Sequence, residues 1–171
     1  MSDKSKSKPT PEQPAQAAAP GQETAPLVVN GQYIKDLSFE VPGAPGIFSQ
    51  LTSPPEIPIN VDIRVTRLGD NVYEVVLHLK VDAHLGDKPV FITELDYAGV
   101  FTVNAPEEHI EPLLTIEAAR LLFPFARNII ADVTRDGGLP PLMLQPVDFV
   151  GIYRQRVEAR AAEAGGPVGH A

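Results

Sequence analysis

The chain of 171 residues contains no cysteine. That excludes disulfides, thiol nucleophiles and Cys-ligated metals, and it fits a reducing compartment. Positive charge is also scarce: 14 Lys and Arg stand against 22 Asp and Glu, a net charge of −8. Phosphate-backbone binding needs clustered Lys and Arg, so no nucleic-acid partner is expected. An acidic surface suits basic partners instead. No apolar run approaches the roughly 20 residues of a membrane-spanning helix. The basic residues near the N-terminus are not followed by the apolar stretch of a signal peptide. No membrane insertion is expected, and the expected location is cytoplasmic. The four histidines, His78, His84, His109 and His170, show no metal-ligand spacing. P-loop, dinucleotide and Gly-x-Ser-x-Gly signatures are missing. A carboxylate such as Glu94 or Asp96 in a sheet-lined pocket could do acid–base work, but no partner group accompanies either. The expectation is a protein that is not an enzyme and takes no metal and no cofactor.

What is there is hydrophobic patterning. Hydrophobic residues make up 43% of the chain, enough to fill one core. Residues 1–26 hold five prolines and few large apolar side chains, so they read as a disordered Pro/Ala-rich tail. The folded domain is expected over residues 27–157, which carry 10 basic and 17 acidic residues. Residues 158–171 read as a flexible C-terminal tail.

Within the domain, Tyr33 to Val41 is the first clear strand. Tyr33, Leu37, Phe39 and Val41 alternate against Asp36, Ser38 and Glu40. Breakers at 42–46 lead into a loop to Ile57 that is too long for a hairpin and is expected to cross to a non-adjacent position. Alternation returns over Ile57–Arg67 and Val72–Ala83, and Val90–Val103 reads as a fourth strand with Phe91, Leu95, Tyr97 and Phe101 on one face and a mixed face opposite, with short turns between. Those turns imply an antiparallel meander with one face packed and one partly wet. Gly99 inside the last strand suggests a bulge or a close contact.

After Pro106 the period becomes helical. Leu113, Leu114, Ala118, Leu121 and Leu122 share a stripe, with Pro112 near the helix start. Pro124, between Phe123 and Phe125, is expected to end that helix and begin a second one carrying Ile129, Ile130 and Val133. Gly137-Gly138 stops the second helix. Leu139-Pro140-Pro141 then forces an extended chain, and Val147 to about Val157 forms a last helix.

These stretches resemble the SecB export-chaperone family. The resemblance rests on Tyr33-Ile34-Lys35-Asp36-Leu37-Ser38-Phe39-Glu40-Val41-Pro42, Val72-Tyr73-Glu74-Val75-Val76-Leu77, Gly99-Val100-Phe101, Phe123-Pro124-Phe125-Ala126-Arg127, and Pro141-Leu142-Met143-Leu144-Gln145-Pro146-Val147-Asp148-Phe149. It implies an α+β fold: a four-stranded antiparallel sheet, a meander with a crossover loop, and helices packed on one side. It further implies a homotetramer, a dimer of dimers. Such a protein holds unfolded secretory precursors and delivers them to the SecA translocation ATPase. By position, the resemblance assigns Asp36, Glu40, Ile92 and Glu94 to docking of the basic, zinc-bearing SecA tail, the zinc belonging to the partner. It assigns Phe48, Leu51, Ile59, Val61, Leu142, Leu144 and Phe149 to the client groove. The alternative kept open is a SecB-like chaperone dedicated to a toxin–antitoxin or other specific client.

Overall fold

The computed structural model describes residues 25–164. Strands β1 (Leu27–Glu40), β2 (Ile59–Arg67), β3 (Val72–Leu85) and β4 (Lys88–Val103) form one antiparallel sheet in the order β1-β4-β3-β2. The last three are the meander that the alternation and short turns predict. Between β3 and β4 the chain reverses at Gly86-Asp87, where Gly86 takes a φ of 61°. β1 pairs with β4 on the far edge, so the segment from β1 to β2 spans the whole sheet. That span is the reason it is long.

β1 begins at Leu27, six residues before the expected Tyr33, and its register shifts between Ile34 and Asp36. The shift inserts Lys35 as an extra residue and reverses the parity of Gly31 to Ile34, until a second shift between Val29 and Gly31 restores it. Ile34, not Tyr33, therefore sits beside Tyr97 on the helix side. Tyr33 points to the opposite, outer face. Leu37 and Phe39 keep the expected inward direction, because they follow the bulge.

The helical region departs from expectation at both prolines. Segments α1 (Glu107–Pro112), a π-wound turn (Leu113–Ala118) and α2 (Ala119–Asp136) follow one another without a break. Pro112 ends α1 instead of starting a helix, and the wider π winding follows it directly. Pro124 lies inside α2 and begins nothing. Its ring is exposed, and the Arg120 carbonyl loses the Pro124 N–H as a partner. Phe123 and Ala126 meanwhile stay buried, and their packing holds the helix through the proline. α2 ends as expected: Gly138 takes a φ of 82°, and the N–H groups of Gly137 and Leu139 return to the carbonyls of Val133 and Thr134. The last helix, α3 (Phe149–Ala164), runs seven residues past the expected boundary at 157. Ion pairs of Arg156 with Asp62 and of Arg160 with Glu111 (2.5 Å) tie its second half to the body.

All three helices lie on one side of the sheet. The main core joins Val75, Leu77 and Leu79 of β3 and Leu95 and Phe101 of β4 to Leu114, Leu122, Ile130 and Phe149. Each such side chain contributes about 1.5–3 kcal/mol by leaving water. Gly99 marks a close approach of sheet and helix. A Cβ there would come within 2.7 Å of the Phe101 ring and 2.9 Å of Leu122. A second cluster at the other end of the sheet contains Ile47, Val81, Ala83, Val90, Phe91 and Leu139.

Candidate client groove and docking face

The outer face of the sheet carries the polar set. Past the bulge, Asp36, Ser38 and Glu40 leave β1 on this face. Asp36 stands opposite Asp96, Ser38 opposite Glu94, and Glu40 opposite Ile92. The four residues assigned to docking thus meet on two adjacent strands, with Glu94 beside the gap between Asp36 and Glu40. Their surroundings differ. Lys80 of β3 pairs with Glu94, and its hydrogen bond and then its charge lower the Glu94 carboxyl from its ordinary range. Among the described residues, Asp36 and Glu40 make no ion pair. Both are exposed, and Ile92 is half-buried.

Towards the middle of the same face the charges are satisfied. Lys35 donates to Glu74 at 2.7 Å, and Tyr33 donates its hydroxyl to the same carboxylate. Lys35 first, then Tyr33, lowers the Glu74 pKa against the upward push of burial. The same contact raises the Tyr33 pKa. Asp96 accepts from Arg64 at 2.5 Å and lies 2.6 Å from His78 Nδ1. Burial pushes its pKa up, and the bonds from His78 and Arg64 outweigh that and lower it. None of these partners could be paired from sequence alone. Lys35, Lys80 and Arg64 reach their carboxylates only through strand register.

On the helix side, the second apolar cluster opens into a groove of about 540 Å³. The crossover loop supplies Leu51, Pro54, Pro55 and Ile57; β4 supplies Val90 and Phe91; the chain after α2 supplies Leu139 to Leu142. Thr134 fixes that last wall. Its buried hydroxyl accepts the Leu142 N–H at 2.9 Å and donates back to the Ile130 and Ala131 carbonyls.

Of the residues assigned to the groove, Leu51 and Leu142 line it. Phe48 is exposed beside it, its ring over Gly138. Ile59 and Val61 lie on the edge strand β2 outside the groove, Ile59 exposed and Val61 half-buried against the main core. Leu144 and Phe149 must be corrected as open contact residues. Each is 2% exposed and belongs to the main core. Period-two spacing sets Leu144 on the same side as Leu142 but does not say that α2 and the sheet cover it, and Phe149, the first residue of α3, packs edge-on against Phe123 of α2. Ile57, Val90, Phe91, Leu139 and the Pro54-Pro55 pair were missed. The first four read as ordinary core, because a groove wall and a core wall have the same composition.

A further apolar strip runs where β1 meets α2. Ile34 is 48% exposed beside Tyr97, Phe125 is 52% exposed and stacks on the Tyr97 ring at 6.1 Å, and Leu121 precedes it by one turn.

The chain is thus an α+β protein: an antiparallel sheet with helices on one face, an open apolar groove at one end and a charged opposite face. The profile of the family described as "Preprotein translocase subunit SecB" matches residues 20–160. The protein-export protein SecB of Rhodospirillum rubrum is 56% identical over 149 residues, covering 87% of this chain and 93% of its own. That of Paramagnetospirillum magneticum is 61% identical over 150 residues, covering 87% and 97%. A SecB-like chaperone of Mycobacterium tuberculosis, solved in complex with an antitoxin peptide, shares the fold. Its TM-score is 0.60 over 72% of this chain and 92% of that one, at 17% identity. The chain belongs to the SecB family, whose members are chaperones of protein export and not enzymes. The dedicated toxin–antitoxin alternative is not favoured, because the relatives of high identity are export proteins.

Proposed function

We propose that this chain holds unfolded secretory precursors in the groove bounded by Leu51, Phe91 and Leu142, and delivers them to SecA through the outer face bearing Asp36, Glu40, Ile92 and Glu94. The observation that carries this is the two-sided sheet: an apolar groove on the helix side and, on the outer face, a carboxylate set in which Asp36 and Glu40 make no ion pair among the described residues. The groove is apolar and lined by prolines, whose backbones offer few donors. Such a lining rewards side-chain burial without demanding a fixed hydrogen-bond pattern, which is what a binder of many sequences needs. The carboxylates suit a basic tail, and Ile92 gives them an apolar centre.

Four copies, arranged as a dimer of dimers, cover the apolar strip of Ile34, Leu121 and Phe125. A closed assembly hides self-adhesive surface and leaves several grooves for one long client. The whole works in the cytoplasm; among the described residues no helix is long and apolar enough to cross a membrane. The test is capture of unfolded chains from a cytoplasmic extract, followed by identification of what is bound. An excess of signal-bearing precursors is expected. A bound set without such enrichment would overturn the export reading.

A further inference from the structure

The outer sheet face and the chain's own N-terminal segment are complementary in charge, spacing and reach. Asp36, Glu94 and Glu40 form a row along the β1–β4 pair, because Glu94 lies opposite Ser38. Residues two apart on a strand are separated by roughly 6.5–7 Å, so the three carboxylates repeat at about that interval along the strand axis, with Glu94 set to one side by one strand spacing of about 4.8 Å. Lys4, Lys6 and Lys8 alternate with Ser5 and Ser7. An extended chain presents such alternate residues on one side at the same interval. Glu94 already shares Lys80, whereas Asp36 and Glu40 have no cation among the described residues. The face therefore has two carboxylates without an ion pair among the described residues, flanking one that Lys80 already pairs.

Reach agrees with this match. The described chain begins at Ala25, at the end of β1 remote from Glu40. Asp36 lies nine residues along β1 from Leu27 and Glu40 thirteen, about 30 and 43 Å. Residues 9–26 connect the lysines to β1. That stretch spans at most roughly 55 Å in a polyproline conformation and about 23 Å on average as a coil. Both carboxylates fall within the limit, Asp36 near the average. Being tethered, the lysines see the face at an effective concentration on the order of millimolar.

We propose that the segment Lys4–Lys8 docks on the outer face across Asp36, Glu94 and Glu40, antiparallel to β1, as a tethered competitor for basic ligands of this face. The inference goes beyond the SecA reading and does not require it, since the tail meets the same carboxylates whichever partner uses them. Exposed ion pairs are screened by salt, so the docked state belongs to low ionic strength and gives way as salt rises.

The absence of cysteine makes the test direct, because one introduced thiol is the only one. A nitroxide on the full-length Ser5→Cys variant, with isoleucine methyls labelled for NMR, reads proximity. At low salt the Ile92 methyl should lose at least half its intensity. Ile34, on the opposite face of β1, and Ile59, on the far edge, should keep theirs. The Ile92 signal should recover in high salt and in the triple variant Lys4→Glu/Lys6→Glu/Lys8→Glu. An undiminished Ile92 signal overturns the proposal. So does equal loss at all three methyls, or a loss that charge reversal does not relieve.

Discussion

Phe91 and Ile92 are consecutive on β4 and face opposite sides of the sheet, Phe91 into the apolar groove and Ile92 onto the carboxylate face beside Glu40. Strand alternation thus sets the proposed client surface and the proposed docking surface back to back, one residue apart.

The two activities should separate by mutation. Glu94→Lys places a cation beside Lys80 and reverses the local field, so binding of the isolated SecA tail peptide should fall at least tenfold, about 1.4 kcal/mol. Client holding should stay intact. Leu51→Asp should do the converse, because a charge in an apolar groove is poorly solvated. Phe48→Asp should act in the same direction, more weakly, from its exposed position. Calorimetry with the tail peptide, beside anisotropy with a labelled unfolded client, checks both; loss of both activities in either variant would contradict the separation.

Leu144→Ala and Phe149→Ala should act on stability. Both side chains are buried in the main core, so truncation should cost about 2–5 kcal/mol. Urea melts should show midpoints lowered in proportion. Stability unchanged from the parent, with client binding lost, would return these residues to the groove.

Glu74 should give an acid-side dependence. Its folded pKa is held below the ordinary 4.5, chiefly by Lys35 and then by Tyr33. The ionised form is the stabilising one, so its contribution is complete above the unfolded value and is lost as pH falls through the folded value. Asp96 behaves in the same sense below its ordinary 3.8. Glu74→Gln should cost about 1–2 kcal/mol at neutral pH. The gap between variant and parent should narrow in denaturant melts taken from pH 6 down to pH 3. A gap that stays constant across that range would remove Glu74 from the pH-dependent set.

Assembly should depend on Phe125. Light scattering of the parent at micromolar concentration should report a tetramer. Phe125→Asp should shift it to smaller species while keeping the circular dichroism of a folded chain. The ring is half-exposed, so its loss removes contact between copies more than core packing. A stable parental monomer across dilution would reject the assembly.

Much of the architecture was legible in the residues. The alternation of Ile59 to Val65 and of Tyr73 to Val81 has one physical meaning, a strand with one apolar face, although Ile59 and Val65 on that face are exposed and Glu74 and Val76 on the opposite face are buried. Gly86 and Gly138 mark turns because few other residues take positive φ. Asp36 and Glu40 were readable as one face, since even spacing survives wherever the register is regular. Decisions that depend on neighbours distant in the chain were not legible. The bulge at Lys35 turned Tyr33 outward and gave Glu74 its partners. Packing of Phe123 and Ala126 carried α2 through Pro124 against the local preference of proline. The local pattern of hydrophobicity and turn residues thus determined which segments are strands and helices and which strand faces are apolar. Only the tertiary structure decided which apolar residues become core and which become groove, and which charges stay unpaired, because burial and ion pairing depend on what the rest of the chain brings alongside.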